Sequence, residues 1–212
     1  MLLKSTDSLG KGARRRWKII RLLIPSKTRW FFEGHPQLKG QLWFKERKLI
    51  YDTIRKYKPS HCFEIGTWKG GGSTLFIAQA LYENKQGKLH TIEINKDFYD
   101  AVRYNYQTYL EHLTPYIEFY LGDYSEKFSE VLNAIGKLDF LFLDGPESAQ
   151  GTLGQYEFFL PYMQKGFVVM VHDWLTEKSR LVKPIIQNVD DWTIKTVLTL
   201  PQSPGFALAI KK

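Results

Sequence analysis

The chain has 212 residues and a mass of 24.8 kDa, with 43% hydrophobic residues, 25% charged residues and a formal charge of +8. This size and composition suit one globular domain with at most an appendage, and exclude a disordered chain, a collagen-like repeat and a small disulfide scaffold. The charge is one-sided: residues 1–60 carry 16 Lys and Arg against four Asp and Glu, a net +12, and the remainder carries −4. The longest apolar runs, Phe167 to Val171 and Ile19 to Ile24 with Arg21 inside it, fall far short of the ~20 residues of a bilayer-spanning helix. A single cysteine, Cys62, the lack of an Asn-x-Ser/Thr acceptor and the lack of a signal-peptide core in Met1 to Gly12 point to a reducing, cytoplasmic setting.

In chain order, the first feature is basic. Arg14, Arg15, Arg16, Lys18 and Arg21 interleave with Trp17, Ile19, Ile20, Leu22, Leu23 and Ile24, the pattern of a short amphipathic helix. Such a helix suits an anionic lipid surface or nucleic acid; alternatively it packs its apolar face on the domain, or on a second copy in a homodimer. Pro25 is expected to end it, and the Pro-, Gly- and aromatic-rich stretch to Gly40 to form an ordered connector. Residues 1–40 are thus an N-terminal extension and residues 41–212 the domain proper. From Gln41, Leu42, Trp43, Leu49, Ile50, Ile54 and Tyr57 recur at helical intervals up to Pro59.

Strands and helices then alternate. Strands are expected at 61–66, 88–94, 116–121, 138–144 and 166–172, and helices at 73–83, 96–112, 125–135, 152–163 and 177–189. Helical crossovers return the chain to the same edge of the sheet, so these strands run parallel. The last two, at 193–200 and 206–211, are separated by Pro201-Gln202-Ser203-Pro204-Gly205, too short for a crossover, and form an antiparallel hairpin. The fold class is α/β: a Rossmann-like, doubly wound, mostly parallel seven-stranded sheet that ends in an antiparallel hairpin.

Ligands of such sheets bind beyond the carboxyl ends of the strands. The first strand ends in Glu64-Ile65-Gly66-Thr67-Trp68-Lys69-Gly70-Gly71-Gly72-Ser73, a glycine-rich turn in which backbone can approach a nucleotide-like cofactor. Glu93, closing the second strand 20 residues after Ser73, is placed to accept hydrogen bonds from ribose hydroxyls. Gly122-Asp123-Tyr124 after the third strand offers a carboxylate for an adenine amino group and a ring to stack on it; Asp123 serves equally as a helix N-cap.

With these residues in place, the chain resembles the class I S-adenosylmethionine-dependent methyltransferases: E-x-G-x-x-x-G, an acid closing the second strand, G-D after the third and L-D-F-L-F-L-D-G on the fourth occur in that order, and the terminal hairpin fits. The resemblance spans about Gln41 to Lys212 and is nearest to small-molecule O-methyltransferases of catechol and macrocin type, whose fourth and fifth strands end in aspartates, here Asp144 and His172-Asp173. It implies S-adenosylmethionine as cofactor, with Glu64, Gly66 and Gly70 at its methionine end, Glu93 at its ribose and Asp123 at its adenine, and with Thr67, Trp68, Gly72, Ser73, Tyr124 and Asp144 also among the cofactor-binding residues. It implies a small-molecule acceptor, with His172 as general base and Asp144 and Asp173 as alternative bases or orienting groups.

The chain departs from this pattern in three places. Its glycine turn is one residue longer; Pro146-Glu147-Ser148 stands where related sequences have D-H-S, so a histidine is missing; and Trp174 replaces the asparagine that completes the Mg²⁺ site of metal-dependent members, leaving Asp144 and Asp173 as the metal ligands. Trp30, Phe31, Phe32, Trp43 and Phe44 either cover the acceptor or pack on the core, and His35 and His90 are structural. Two other readings compete: an NAD(P)-dependent oxidoreductase, opposed by the glycine spacing and the hairpin, and a non-catalytic or RNA-associated binding module resting on the basic N-terminus.

Overall fold

A β-strand with both faces covered needs apolar side chains at every position, and 138–143 (LDFLFL) and 167–171 (FVVMV) meet that need. In the computed structural model, which describes residues 22–23, 25–199 and 203–212, these segments form the centre of one seven-stranded sheet. Its elements are α1 (Ser26–Glu33), α2 (Phe44–Tyr57), β1 (His61–Ile65), α3 (Ser73–Asn84), β2 (Lys88–Glu93), α4 (Lys96–Tyr109), β3 (Ile117–Leu121), α5 (Tyr124–Ile135), β4 (Leu138–Leu143), α6 (Ala149–Phe159), β5 (Met163–His172), α7 (Val182–Ile186), β6 (Trp192–Leu198) and β7 (Phe206–Lys211). The strand order is β3-β2-β1-β4-β5-β7-β6. β1 to β5 pair in parallel, and β7 inserts antiparallel between β5 and β6.

Alternate side chains on each strand feed two cores. Cys62, Leu89, Phe140, Phe142, Val168 and Met170 pack under α2, α3 and α4. Phe63, Ile65, Leu141, Leu143, Val169 and Val171 pack under α5, α6 and α7. The chain winds β1-β2-β3 outward on one face, then crosses through α5 on the other face to place β4 on the far side of β1. The carboxyl ends of β1 and β4 therefore part to opposite faces, and a crevice opens between them.

Two expectations are corrected. The stretch after Pro25 is not merely a connector: Pro25, with φ −51° and no N–H to satisfy, precedes the first turn of α1, and its carbonyl accepts Arg29 N at 3.0 Å. Within α1, Phe31 is buried, Trp30 lies 4.3 Å from the Phe76 ring and Phe32 stacks on Phe44 at 4.2 Å, so this part of the aromatic cluster packs on the domain. The helix expected over 177–189 is instead a 3-10 turn, Glu177–Ser179, followed by the short α7. A helix running from Glu177 would place Pro184 in its interior, where it lacks a donor and clashes with the carbonyl four residues back. The basic segment 14–24 lies outside the described residues, except for Leu22 and Leu23, which are exposed. No helix among the described residues is long and apolar enough to cross a membrane.

Candidate active site

The carboxyl ends of β1, β2, β4 and β5 border a cleft of about 1050 Å³. Gly66, Thr67, Trp68, Gly72, Ser73, Glu93, Asp123, Tyr124 and Asp144 line it, as do His172 and Asp173. Glu64 and Gly70 do not. Gly66 has φ +94°, a conformation that favours glycine, and this turns the chain sharply at the crevice. The extra glycine of the turn has a separate purpose. Gly71 N donates to Lys39 O at 3.0 Å, and a Cβ on Gly71 would stand 2.6 Å from Leu38 O, so the residue must be bare for the 38–40 segment to dock on the turn. Gly70 faces α4, its carbonyl accepting the Tyr106 hydroxyl at 2.8 Å.

Glu93 ties two strand ends together. Its Oε2 accepts Trp68 N at 2.7 Å and its Oε1 accepts Asn95 N at 2.8 Å, which fixes the carboxylate while each oxygen keeps lone-pair capacity toward the cleft. Asp123 caps α5, its Oδ1 accepting Ser125 N at 2.8 Å, and it also lines the cleft, so both sequence-based roles are compatible. Tyr124 is braced edge-on by Phe158 at 5.2 Å. Behind the turn, the fully buried Glu64 accepts the Thr74 and Thr91 hydroxyls on Oε2, both at 2.6 Å, and burial raises its pKa. Its Oε1 has no hydrogen-bond partner among the described residues. Gln155 Oε1, in the cleft wall, is in the same condition, and an orphaned buried oxygen there suits a donor brought in by a ligand.

The far end of the cleft holds a charged cluster. His172 Nδ1 lies 3.1 Å from Asp144 Oδ1 and 3.2 Å from Asp173 Oδ1. Lys178 Nζ lies 3.0 Å from Asp144 Oδ1, 2.8 Å from Asp173 Oδ2 and 3.3 Å from the Asp144 carbonyl. On the other side of the ring, His172 Nε2 is 3.9 Å from Oε2 of the fully buried Glu46. Glu46 in turn accepts Trp43 N at 2.7 Å and Ser203 Oγ at 2.7 Å. Burial opposes charge on His172, but the Asp144 and Asp173 carboxylates prevail and push its pKa up to about 10. Asp173 is also opposed by burial, yet His172 and Lys178 bring it down to about 2.

The imidazolium is expected to persist through neutral pH, whereas the buried His90, stacked on Phe63 and pushed down to about 4 by burial, is expected to be neutral. Long-range ¹H–¹⁵N spectra at pH 8 should show a doubly protonated ring for His172 and a single tautomer for His90. Because the folded pKa of His172 lies above its unfolded value of ~6.5, its contribution to stability is complete below about pH 6.5 and is lost as pH rises through about 10. A neutral His172 ring at pH 8 would contradict this cluster.

Comparison with known proteins places the chain. The family described as Methyltransferase domain matches residues 63–174, more than half of the sequence. The chain belongs to that family. No curated protein matches it. Among solved structures, this methyltransferase is similar to the O-methyltransferase TomG from Streptomyces achromogenes, involved in tomaymycin synthesis and in complex with SAM, at 20% identity and TM-score 0.66 over 96% of this chain and 99% of that one. It is similar to an O-methyltransferase from Bacillus cereus in complex with SAH, at 18% identity and TM-score 0.65 over 97% and 93%. It also resembles the SAH-bound Podospora anserina methyltransferase PaMTH1, at 16% identity and TM-score 0.61 over 96% and 97%. The family and the fold expected from the motifs are thereby confirmed.

The methyltransferase cleft fits a nucleoside sulfonium cofactor in the Glu93 and Asp123 carboxylates and the orphaned Gln155 oxygen, but it does not fit Mg²⁺. Asp144, His172 and Asp173 are the one cluster of metal-ligating type among the described residues, their atoms within 4.8 Å of one another. The carboxylates, however, are occupied by the Lys178 ammonium, and His172 Nδ1 faces both of them at 3.1 and 3.2 Å. Trp174, where a third ligand was sought, is 2% exposed and packs under the Lys183 ammonium, 5.4 Å from its ring. Sequence reasoning missed Lys178 and Glu46. The first lies on a 3-10 turn with no motif around it; the second reads as an ordinary charged helix residue. Of the described aromatic residues before β1, only Trp43 lines the cleft.

Proposed function

We propose that this methyltransferase moves a methyl group from S-adenosylmethionine to a hydroxyl of a small molecule. The observation that carries the reading is the joining, in one cleft, of a nucleoside-binding end (Gly66, Glu93, Asp123 and Tyr124) with a carboxylate cluster at the ends of β4 and β5. The complexes of TomG with SAM and of the Bacillus cereus protein with SAH support it. Against an NAD(P) site, Gly70 and Gly71 serve packing on α4 and on residues 38–40, so the turn keeps few bare positions for a dinucleotide pyrophosphate. A reducing, cytoplasmic setting fits the one buried thiol, Cys62.

S-adenosylmethionine supplies an electrophilic methyl carbon on a sulfonium. The chain's part is to hold the acceptor oxygen in line with that carbon, since positioning accounts for much of the rate in such transfers. Asp144 lines the cleft; its Oδ1 is engaged by His172 and Lys178, while Oδ2 has no hydrogen bond among the described residues. Oδ2 therefore accepts the hydrogen bond of the acceptor hydroxyl and takes its proton as the carbon–oxygen bond forms. His172 has one ring nitrogen turned to two carboxylates and the other to Glu46, so it positions Asp144 and keeps the cluster compact instead of acting as the base.

Calorimetric titration with S-adenosylhomocysteine, with NAD⁺ and NADP⁺ as controls, tests the cofactor. Micromolar binding of the first alone is expected, followed by methyl transfer to hydroxylated aromatic probes. A folded protein that ignores S-adenosylhomocysteine would overturn the reading.

A further inference from the structure

We propose that Lys178 stands in the place of a divalent cation in this cleft, so that the active site is completed by an ammonium of the chain itself and binds no metal ion. The inference takes the carboxylate cluster of the proposed function as given, but it concerns only what neutralises that cluster. Three oxygens from two strand ends converge on Nζ: Asp144 Oδ1 at 3.0 Å, Asp173 Oδ2 at 2.8 Å and the Asp144 carbonyl at 3.3 Å. An ammonium has three protons and no acceptor, and here each proton has an oxygen to meet. The residue is 7% exposed, and its two carboxylate partners are only partly exposed, so the contacts are made at the wall of the cleft.

The surroundings leave no room for a second cation. Mg²⁺ requires near-octahedral oxygen ligation at 2.0–2.1 Å with several waters retained. Asp144 and Asp173 would have to surrender Lys178 to supply it, and a dication beside that ammonium would meet repulsion in a poorly screened site. His172 Nδ1 lies within 3.1 and 3.2 Å of two carboxylate oxygens, so the ring nitrogen that faces the cluster is already engaged.

The backbone is shaped to deliver the lysine. Asp173 has φ +58°, the left-handed region, which is uncommon for a residue with a side chain. Thr176 N donates to Asp173 O at 3.0 Å, and the 3-10 turn Glu177–Ser179 then carries Lys178 back over Asp173. An extended helix over 177–189 would have directed it elsewhere. Lys178 is thus a positioning residue: it fixes Asp144 with Oδ2 left for the acceptor.

Titration of the full-length protein with MnCl₂, followed by electron paramagnetic resonance and calorimetry, decides the matter without turnover. The wild type is expected to bind no stoichiometric Mn²⁺ at 1 mM, and its affinity for S-adenosylhomocysteine is expected to change less than twofold in EDTA. Lys178→Ala leaves the carboxylate pair exposed and is expected to bind Mn²⁺ at least tenfold more tightly than the wild type. If that variant is unstable, Lys178→Met, which keeps most of the side-chain volume without the charge, takes its place. One Mn²⁺ bound per wild-type chain below millimolar concentration, lost in Asp144→Asn, would overturn the proposal. So would a folded Lys178 variant that takes up no Mn²⁺. Failure to bind S-adenosylhomocysteine instead strikes the proposed function and leaves the cation result standing.

Discussion

Replacing Glu93 by alanine is expected to weaken S-adenosylhomocysteine binding about a hundredfold, or about 2.7 kcal/mol. The carboxylate sits at the end of β2 with both oxygens already oriented by backbone donors, Trp68 N and Asn95 N. Hydrogen bonds to a charged acceptor contribute about 1.5–3 kcal/mol each, so loss of a ribose diol from this group accounts for the whole effect. The truncation has a second consequence, because it leaves two backbone N–H groups without their acceptor in a nearly buried site, which costs about 1–3 kcal/mol apiece where water does not enter. The thermal midpoint should therefore fall by several degrees, as a chain of this length shifts by about 2–4 °C per kcal/mol. Calorimetry at a temperature well below the transition separates the two effects. Unchanged affinity would mean that the ribose is held elsewhere.

Asp144→Asn is expected to reduce methyl transfer by about 10²–10³-fold, within the range for loss of a positioned proton acceptor, while S-adenosylhomocysteine affinity stays within about threefold. The substitution keeps the shape at the end of β4 but removes the negative charge shared by His172 and Lys178. It also removes the proton acceptor, because a carboxamide, unlike a carboxylate, is not a base at neutral pH. Single-turnover rates with a hydroxylated probe, set beside the calorimetric affinity, measure the split. Turnover at the wild-type level would remove Asp144 from the mechanism.

Much of this architecture is local in the chain. The alternation of apolar strands with amphipathic helices fixes a parallel sheet because a helical crossover cannot return a strand in the opposite sense. The five-residue link Pro201 to Gly205 could only join antiparallel neighbours, and β6 and β7 pair that way. Glu93 was legible from its distance to the glycine turn, and Asp144 and Asp173 from their places at strand ends. The helix expected over 177–189 was misread because apolar spacing continues past Pro184, while the missing donor of that proline decides the local structure.

What the sequence determined by itself is the set of signals that repeat or recur at short range: the strand and helix periods, the turn at Gly66, and the family to which they point. Only the tertiary structure decided which glycines face the ligand and which face the protein. Gly71 is bare for the backbone at Leu38, and no spacing rule reveals a contact between segments that distant. The same holds for the charged cluster. Lys178 meets Asp144 across 34 residues, and Glu46 meets Ser203 across 157. Such pairs follow from how strand ends and turns converge in space, and a charge in the sequence acquires its partner only when the sheet has brought the two together.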